Sequence, residues 1–247
     1  MLSFILAAVA FPEAMQPAKE EIDKFVGSGR SPNFSDEPNL VYCKALIKET
    51  LRWRSVAILG GLPHAPTRDD VYRGYTIPKD TSIMVAPVRH TLMQANIWAI
   101  HRHPREFPEP DVFKPERYLE KNRLPYPNER GYNTFGFGRR QCSGQPLAEQ
   151  GLFTSVCRLL WAFDIKPALD EQVDLMCSRL KQGNEIPVDI FAYTDGENMR
   201  PQPFRARFIP RSEEILKTLQ REAREAEERL SKWNGTTKVD VKDFFKQ

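Results

Sequence analysis

The sequence predicts a mainly α fold with small β-sheets, of the α+β class, and three observations predict it. Apolar residues recur at helical spacing between residues 40 and 54 and again between 147 and 163. Short apolar pieces from Ser55 to about Met84, broken by Gly60-Gly61, Pro63, Pro66, Gly74 and Pro78, read as small strands and turns. The stretch from Pro104 to Gly131, with prolines at 104, 108, 110, 115, 125 and 127, has the composition of a long ordered meander.

Each element follows in chain order. Met1 to Phe11 is apolar, lacks a basic leader and is too short to span a bilayer, so it reads as the end of a buried helix. Pro12-Glu13 suits the first turn of a second helix, which continues through Ala14, Ala18, Ile22 and Phe25-Val26 until Gly27 stops it. Pro17 inside that run predicts a kink. Leu40, Cys43, Ile47, Thr50 and Leu51 mark an amphipathic helix ending near Arg54. Ala95 to Pro104 reads as a further helix ahead of the meander. After Gly144-Gln145-Pro146, the apolar positions Leu147, Leu152, Val156, Leu159-Leu160 and Phe163 mark a buried helix with proline in its first turn. Ile186 to Pro210 reads as a β-hairpin region. Ser212 to Trp233 is a solvated helix that begins with Glu213-Glu214, where the helix dipole favours acids. The expected division is a body over residues 1–211 and a charged helical tail over 212–247.

Composition narrows the function. The 247 residues, 40% of them hydrophobic, suffice for one large domain or two small ones. A net charge of +3 from 36 basic and 33 acidic side chains gives no field that would argue for a nucleic-acid partner. The cysteines at 43, 142, 157 and 177 lack the short paired spacing of zinc sites and are too sparse for a disulfide scaffold.

One cysteine stands apart. It lies in Phe135-Gly136-Phe137-Gly138-Arg139-Arg140-Gln141-Cys142-Ser143-Gly144, between the meander and the buried helix. This segment resembles the cysteine loop of the cytochrome P-450 family at Phe135, Gly138, Arg140, Cys142 and Gly144. Five such residues at fixed offsets arise by chance with a probability on the order of one in ten thousand. A sulfur just before a helix amino terminus meets free backbone N–H groups and the positive end of the dipole, which suits a thiolate ligand of haem iron. Gly138 and Gly144 allow close approach to a flat macrocycle. Arg140 is expected to reach a haem propionate, and Phe135 to shield the iron–sulfur bond.

Two further segments strengthen the resemblance. Glu49-Thr50-Leu51-Arg52 places Glu49 and Arg52 on one helix face. In the family such a pair meets the arginine of a Pro-Glu-Arg sequence, here Pro115-Glu116-Arg117, and the three are expected to form one structural network. Tyr118 follows where many relatives have Phe. Leu62-Pro63-His64 resembles a segment that supplies another propionate contact, through His64. His101 and His103 are assigned no chemistry.

What the resemblance implies is a haem-thiolate monooxygenase: haem b (iron protoporphyrin IX) held by Cys142, electrons from NADPH through a cytochrome reductase, and one oxygen atom inserted into a small organic substrate. The texture is similar to fungal members that process lipophilic compounds or secondary metabolites. The likeness is to the proximal side and carboxy-terminal half of the fold, a partial one. The distal helix with its acid and alcohol is expected to lie ahead of Met1, and the chain is expected to be truncated and inactive alone. Location at the endoplasmic reticulum membrane is expected for a full-length relative, with membrane contact only through the missing amino-terminal half. Val85 to Gln94 stands as an extra stretch. Two alternatives remain open: a reductase-independent haem-thiolate isomerase or peroxygenase, and a non-catalytic fragment. Residues near 56–62 and 193–199 are expected to line part of the substrate pocket.

Overall fold

The computed structural model describes residues 1–61, 65–80, 95–119, 130–170, 173–174, 179–180, 183–196 and 198–232. Helix α1 (Leu2–Ala10) is apolar almost all round because it is covered almost all round, with Phe4, Leu6, Ala7, Ala8 and Val9 buried. A 3-10 turn (Pro12–Met15) follows, and then α2 (Gln16–Phe25). Pro17 therefore does not kink a continuous helix. It sits in the first turn of α2, where its missing N–H would have had no partner in any case. Helix α3 (Val41–Trp53) is amphipathic and ends one residue before Arg54.

Small β pieces come next. Strands β1 (Asp70–Tyr72) and β2 (Tyr75–Ile77) form an antiparallel hairpin whose turn residues Arg73 and Gly74 both have positive φ, at 49° and 84°. That pairing of angles matches the right-handed strand twist, and glycine carries its share without steric cost. Helix α4 (Ile97–Ile100) is a single turn, capped by the Asn96 side chain on the Ala99 N–H. It is shorter than the segment from Ala95 to Pro104 suggests, because Arg102 and His103 close it with turn hydrogen bonds to Ala99 and Ile100. Helix α5 (Gln145–Ala162) carries Pro146 in its first turn.

The β-hairpin expected over Ile186 to Pro210 is met in part: Tyr193 bridges Pro201 antiparallel, with the Gln202 N–H donating to Ala192 and the Thr194 N–H to Arg200, but the long strand of the region pairs elsewhere. Strand β3 (Phe163–Pro167) leaves α5 directly, and β6 (Ala206–Pro210) returns to pair with it, Phe163 opposite Pro210 and Pro167 opposite Ala206. Between them lie the two-residue strands β4 (Val173–Asp174) and β5 (Arg179–Leu180), paired antiparallel. The partner of β6 is thus the tail of the helix-like apolar run, and a local pattern cannot show a pairing across so many residues.

The core lies among α1, α2, α3 and α5. Trp53 and Trp161 are its largest members, both 0% exposed, and each indole donates to a backbone oxygen: Trp53 to Asp111 and Trp161 to Gly27, both at 2.7 Å. A fully buried apolar side chain such as Phe4 contributes roughly 1.5–3 kcal/mol. Helix α6 (Glu213–Ser231) starts at Ser212, whose hydroxyl accepts from the Ile215 N–H, and docks through Ile215 and Thr218. Its Glu222 accepts from the Ser31 N–H. Among the described residues no helix is long and apolar enough to cross a membrane.

Candidate functional site

Glu49 and Arg52 face each other on α3, both fully buried. Arg52 donates Nε to Glu49 Oε2 at 2.7 Å and Nη2 to Oε1 at 2.8 Å, a bidentate pair. Arg117 Nε reaches Glu49 Oε1 at 3.4 Å, so the structure brings all three residues together. Three backbone groups that the sequence did not show extend the network. The Lys114 backbone N–H donates to Glu49 Oε1 at 2.9 Å, and Arg52 donates to the carbonyls of His101 and Pro110, both at 2.9 Å. Arg117 also donates to the Glu109 carbonyl. A helix is thereby tied to the meander by charge-assisted bonds at low exposure, where they are least screened. Tyr118, the departure from Phe, donates its hydroxyl to the Gly131 carbonyl at 3.0 Å and so ties the end of the meander to its middle.

The cysteine loop is closed on itself. The Cys142 N–H donates to the Phe135 carbonyl at 2.9 Å, the Gly136 N–H to Asn133 and the Gln141 N–H to Gly138. Gly138 has φ +67°, a conformation that L side chains rarely adopt, and a Cβ there would meet nothing within 4 Å. Gly144 is the N-cap of α5. A Cβ on it would stand 3.7 Å from Cys142 Sγ, in ordinary van der Waals contact, so the residue directly adjoins the sulfur. Cys142 is exposed, unlike Cys43 and Cys157, while Cys177 lies outside the described residues. Arg139, Arg140 and Phe137 are exposed, and Phe135 is partly buried with its ring 6.4 Å from that of Tyr132. Tyr132 bonds Glu149 on α5, and Gln145 and Gln141 continue that line back to the loop. Burial and the Glu149 carboxylate push the Tyr132 phenol up, so it stays protonated and donates.

Arg54 extends the site toward the strands. Its guanidinium lies 4.2 Å from the Trp53 ring and between 5.2 and 5.8 Å from those of Phe191, Trp98 and Tyr193. It donates twice to the Ile190 carbonyl and once to Asp111, a carboxylate shared with Arg102. Burial lowers the proton affinity of Arg54 and takes Arg102 down to about 10. Beyond Arg54 the chain meets the other pocket-lining candidate: Ala57 bridges Asn198, and the Met199 N–H donates to the Val56 carbonyl at 2.8 Å. His64 and the stretch Val85 to Gln94 lie outside the described residues.

The residues fit a thiolate-held haem. Among the described residues no group of three His, Cys, Asp or Glu stands ready for a metal ion, so Cys142 offers a single soft donor. Such a donor suits an iron that brings its other ligands in a macrocycle. The loop also presents apolar Phe137, 56% exposed, beside the cationic Arg139 and Arg140, a surface that matches a macrocycle with an apolar face and acidic edges.

Comparison with known proteins gives the family. The sequence profile described as cytochrome P-450 matches residues 2–185. The cytochrome P-450 monooxygenase fogE of Aspergillus ruber is 41% identical over 219 residues, covering 87% of this chain and 37% of that protein. The tryptamine 4-monooxygenase of Psilocybe cyanescens is 38% identical, over 88% of this chain and 39% of its own length. Among solved structures, a zebrafish cytochrome P-450 with abiraterone superposes with a TM-score of 0.64 at 27% identity, over 85% of this chain and 42% of that one. The chain therefore spans somewhat over a third of the length of these curated relatives.

Proposed function

The chain belongs to the cytochrome P-450 family, and from that premise we propose that the polypeptide carrying it is a haem-thiolate monooxygenase with Cys142 as the iron ligand. The observation that carries the reading is the loop itself, an exposed sulfur two residues ahead of the N-cap of α5, closed by the Cys142 N–H on the Phe135 carbonyl. Haem bound there would supply dioxygen activation, the electron-rich sulfur favouring O–O cleavage. In the overall reaction one oxygen atom enters the substrate and the other leaves as water, with two electrons from NADPH through a reductase.

The chain's own residues hold and orient. By the family resemblance, Arg140 and His64 are assigned to the propionates. With haem bound, Phe135 would help to exclude water from the sulfur, and Gly138 and Gly144 would let the backbone approach the macrocycle. Glu49, Arg52 and Arg117 fix the meander beneath the loop. By the family resemblance, segments near 56–62 and 193–199 are assigned to part of the pocket wall, and fungal relatives named as monooxygenases support a small organic substrate. An endoplasmic reticulum location follows from the same reading.

The test begins from the transcript around Met1. The polypeptide it encodes is expressed with haem, reductase, NADPH and isotopically labelled dioxygen, and offered a panel of lipophilic compounds. One labelled oxygen in an NADPH-dependent product is expected. Turnover without NADPH, or unlabelled product, would replace the reading by a peroxide-driven or isomerising enzyme.

A further inference from the structure

His101 was given no chemistry by the sequence, yet it is 0% exposed and every polar atom of its ring is used. The Asn133 N–H donates to His101 Nε2 at 2.8 Å. A backbone N–H only donates, so Nε2 carries no proton, and the neutral ring holds its proton on Nδ1. Nδ1 lies 3.0 Å from Ser55 Oγ and donates to it. The Ser55 and Thr134 hydroxyls in turn both reach the Leu51 carbonyl, at 2.9 and 2.7 Å. The His101 carbonyl accepts from Arg52, and the His101 ring packs edge-on against Phe107.

His101 therefore has one end on the buried Glu49–Arg52 pair and the other on Asn133, at the root of the cysteine loop. From there Asn133 accepts from Gly136, and Phe135 accepts from Cys142. We propose that His101 is a positioning residue, which sets the height of the Cys142 loop over α3 through the Asn133 N–H and acts only as the Nδ1-protonated neutral tautomer. The consequence for haem rests on the function proposed above; the consequence for the loop does not. The charged groups facing the ring are Arg52 from α3 and Arg102 beside it, both cations that oppose a second proton.

Substitutions separate this role from mere filling of space. Glutamine reaches the Nε2 position and can accept from Asn133, asparagine reaches only the Nδ1 position, and phenylalanine fills the volume with neither. In the chain without haem, hydrogen exchange read by peptide mass spectrometry should show fast exchange over residues 131–142 in His101→Asn and His101→Phe, with α1 and α5 still protected. His101→Gln should restore protection. Folded Asn and Phe variants that protect the loop as the unaltered chain does would overturn the proposal. Should those variants fail to fold, nitrogen-15 spectra of the unaltered chain decide: a His101 ring protonated at Nε2 overturns it, and one protonated at Nδ1 alone upholds it. With haem bound, the Asn variant should lose the red-shifted ferrous carbon monoxide band and the Gln variant keep it. A band unaltered in His101→Asn defeats the positioning role. Absence of that band in the unaltered protein defeats the proposed function instead, with the loop result standing.

Discussion

Replacing Glu49 by glutamine preserves the shape of the side chain and removes the charge around which the meander is organised. The carboxylate accepts from Arg52 Nε and Nη2, from the Lys114 N–H and from Arg117, between 2.7 and 3.4 Å. A glutamine offers one oxygen to these donors and turns an NH2 toward the others, while Arg52 at 0% exposure and Arg117 at 8% lose their buried counter-ion. Breaking a buried pair by removing one partner costs about 3–5 kcal/mol. For a chain of this size each kcal/mol moves the melting temperature by roughly 2–4 °C, so Glu49→Gln should melt about 6–20 °C lower. Far-ultraviolet circular dichroism during heating and in urea measures it. The exposed pair Lys44–Glu37, 43% and 32% exposed, is the control: Lys44→Ala should cost less than about 1 kcal/mol. A Glu49→Gln loss as small as the control's would refute the claim that this network holds the meander.

Other outcomes follow from the same geometry. Tyr118→Phe removes the hydroxyl bond to Gly131 and should cost about 1 kcal/mol in urea unfolding, with faster exchange of amides near residue 131. Stability should fall with acid through His101. Its pKa is lowered by burial and by Arg52 to about 3 from an ordinary 6.5. Between those values the unfolded chain binds a proton that the folded one refuses, so this contribution is complete above pH 6.5, shrinks as pH falls toward 3 and is flat below. Unfolding free energy should be about 2 kcal/mol smaller at pH 5 than at pH 7 from this residue, and His101→Gln should remove that slope. Arg52→Ala should abolish haem incorporation rather than slow turnover, read as the ratio of haem absorbance to protein. A folded variant with full haem content contradicts it.

Legibility of the sequence tracked the range of each interaction. Glu49 and Arg52 are three residues apart on one helix, so periodicity alone put them on one face, and Pro146 marked the start of α5 behind Cys142. Ser212 with Glu213-Glu214 marked α6 in the same local way. The pairing of Phe163–Pro167 with Ala206–Pro210 depends on residues far apart, and the run Leu159 to Phe163 carries the same apolar signal whether it ends a helix or begins a strand. Pro17 misled because a proline in the first turn of a helix and one that kinks a helix look alike until the preceding 3-10 turn is known. His101 and Arg54 were missed for another reason: they bond backbone atoms of Asn133 and Ile190 and side chains remote in sequence, and neither a backbone group nor a long-range partner leaves a local mark in the sequence. The Lys114 N–H on Glu49 belongs with them.

The central claim is that Cys142 is the thiolate ligand of haem iron, and the ferrous carbon monoxide spectrum tests it most directly. The encoded polypeptide, unaltered and as Cys142→Ala, is loaded with haem, reduced and exposed to carbon monoxide. The strongly red-shifted band of thiolate ligation should be present in the first, whatever fraction holds haem, and missing from the second. The same band in Cys142→Ala would remove the assignment.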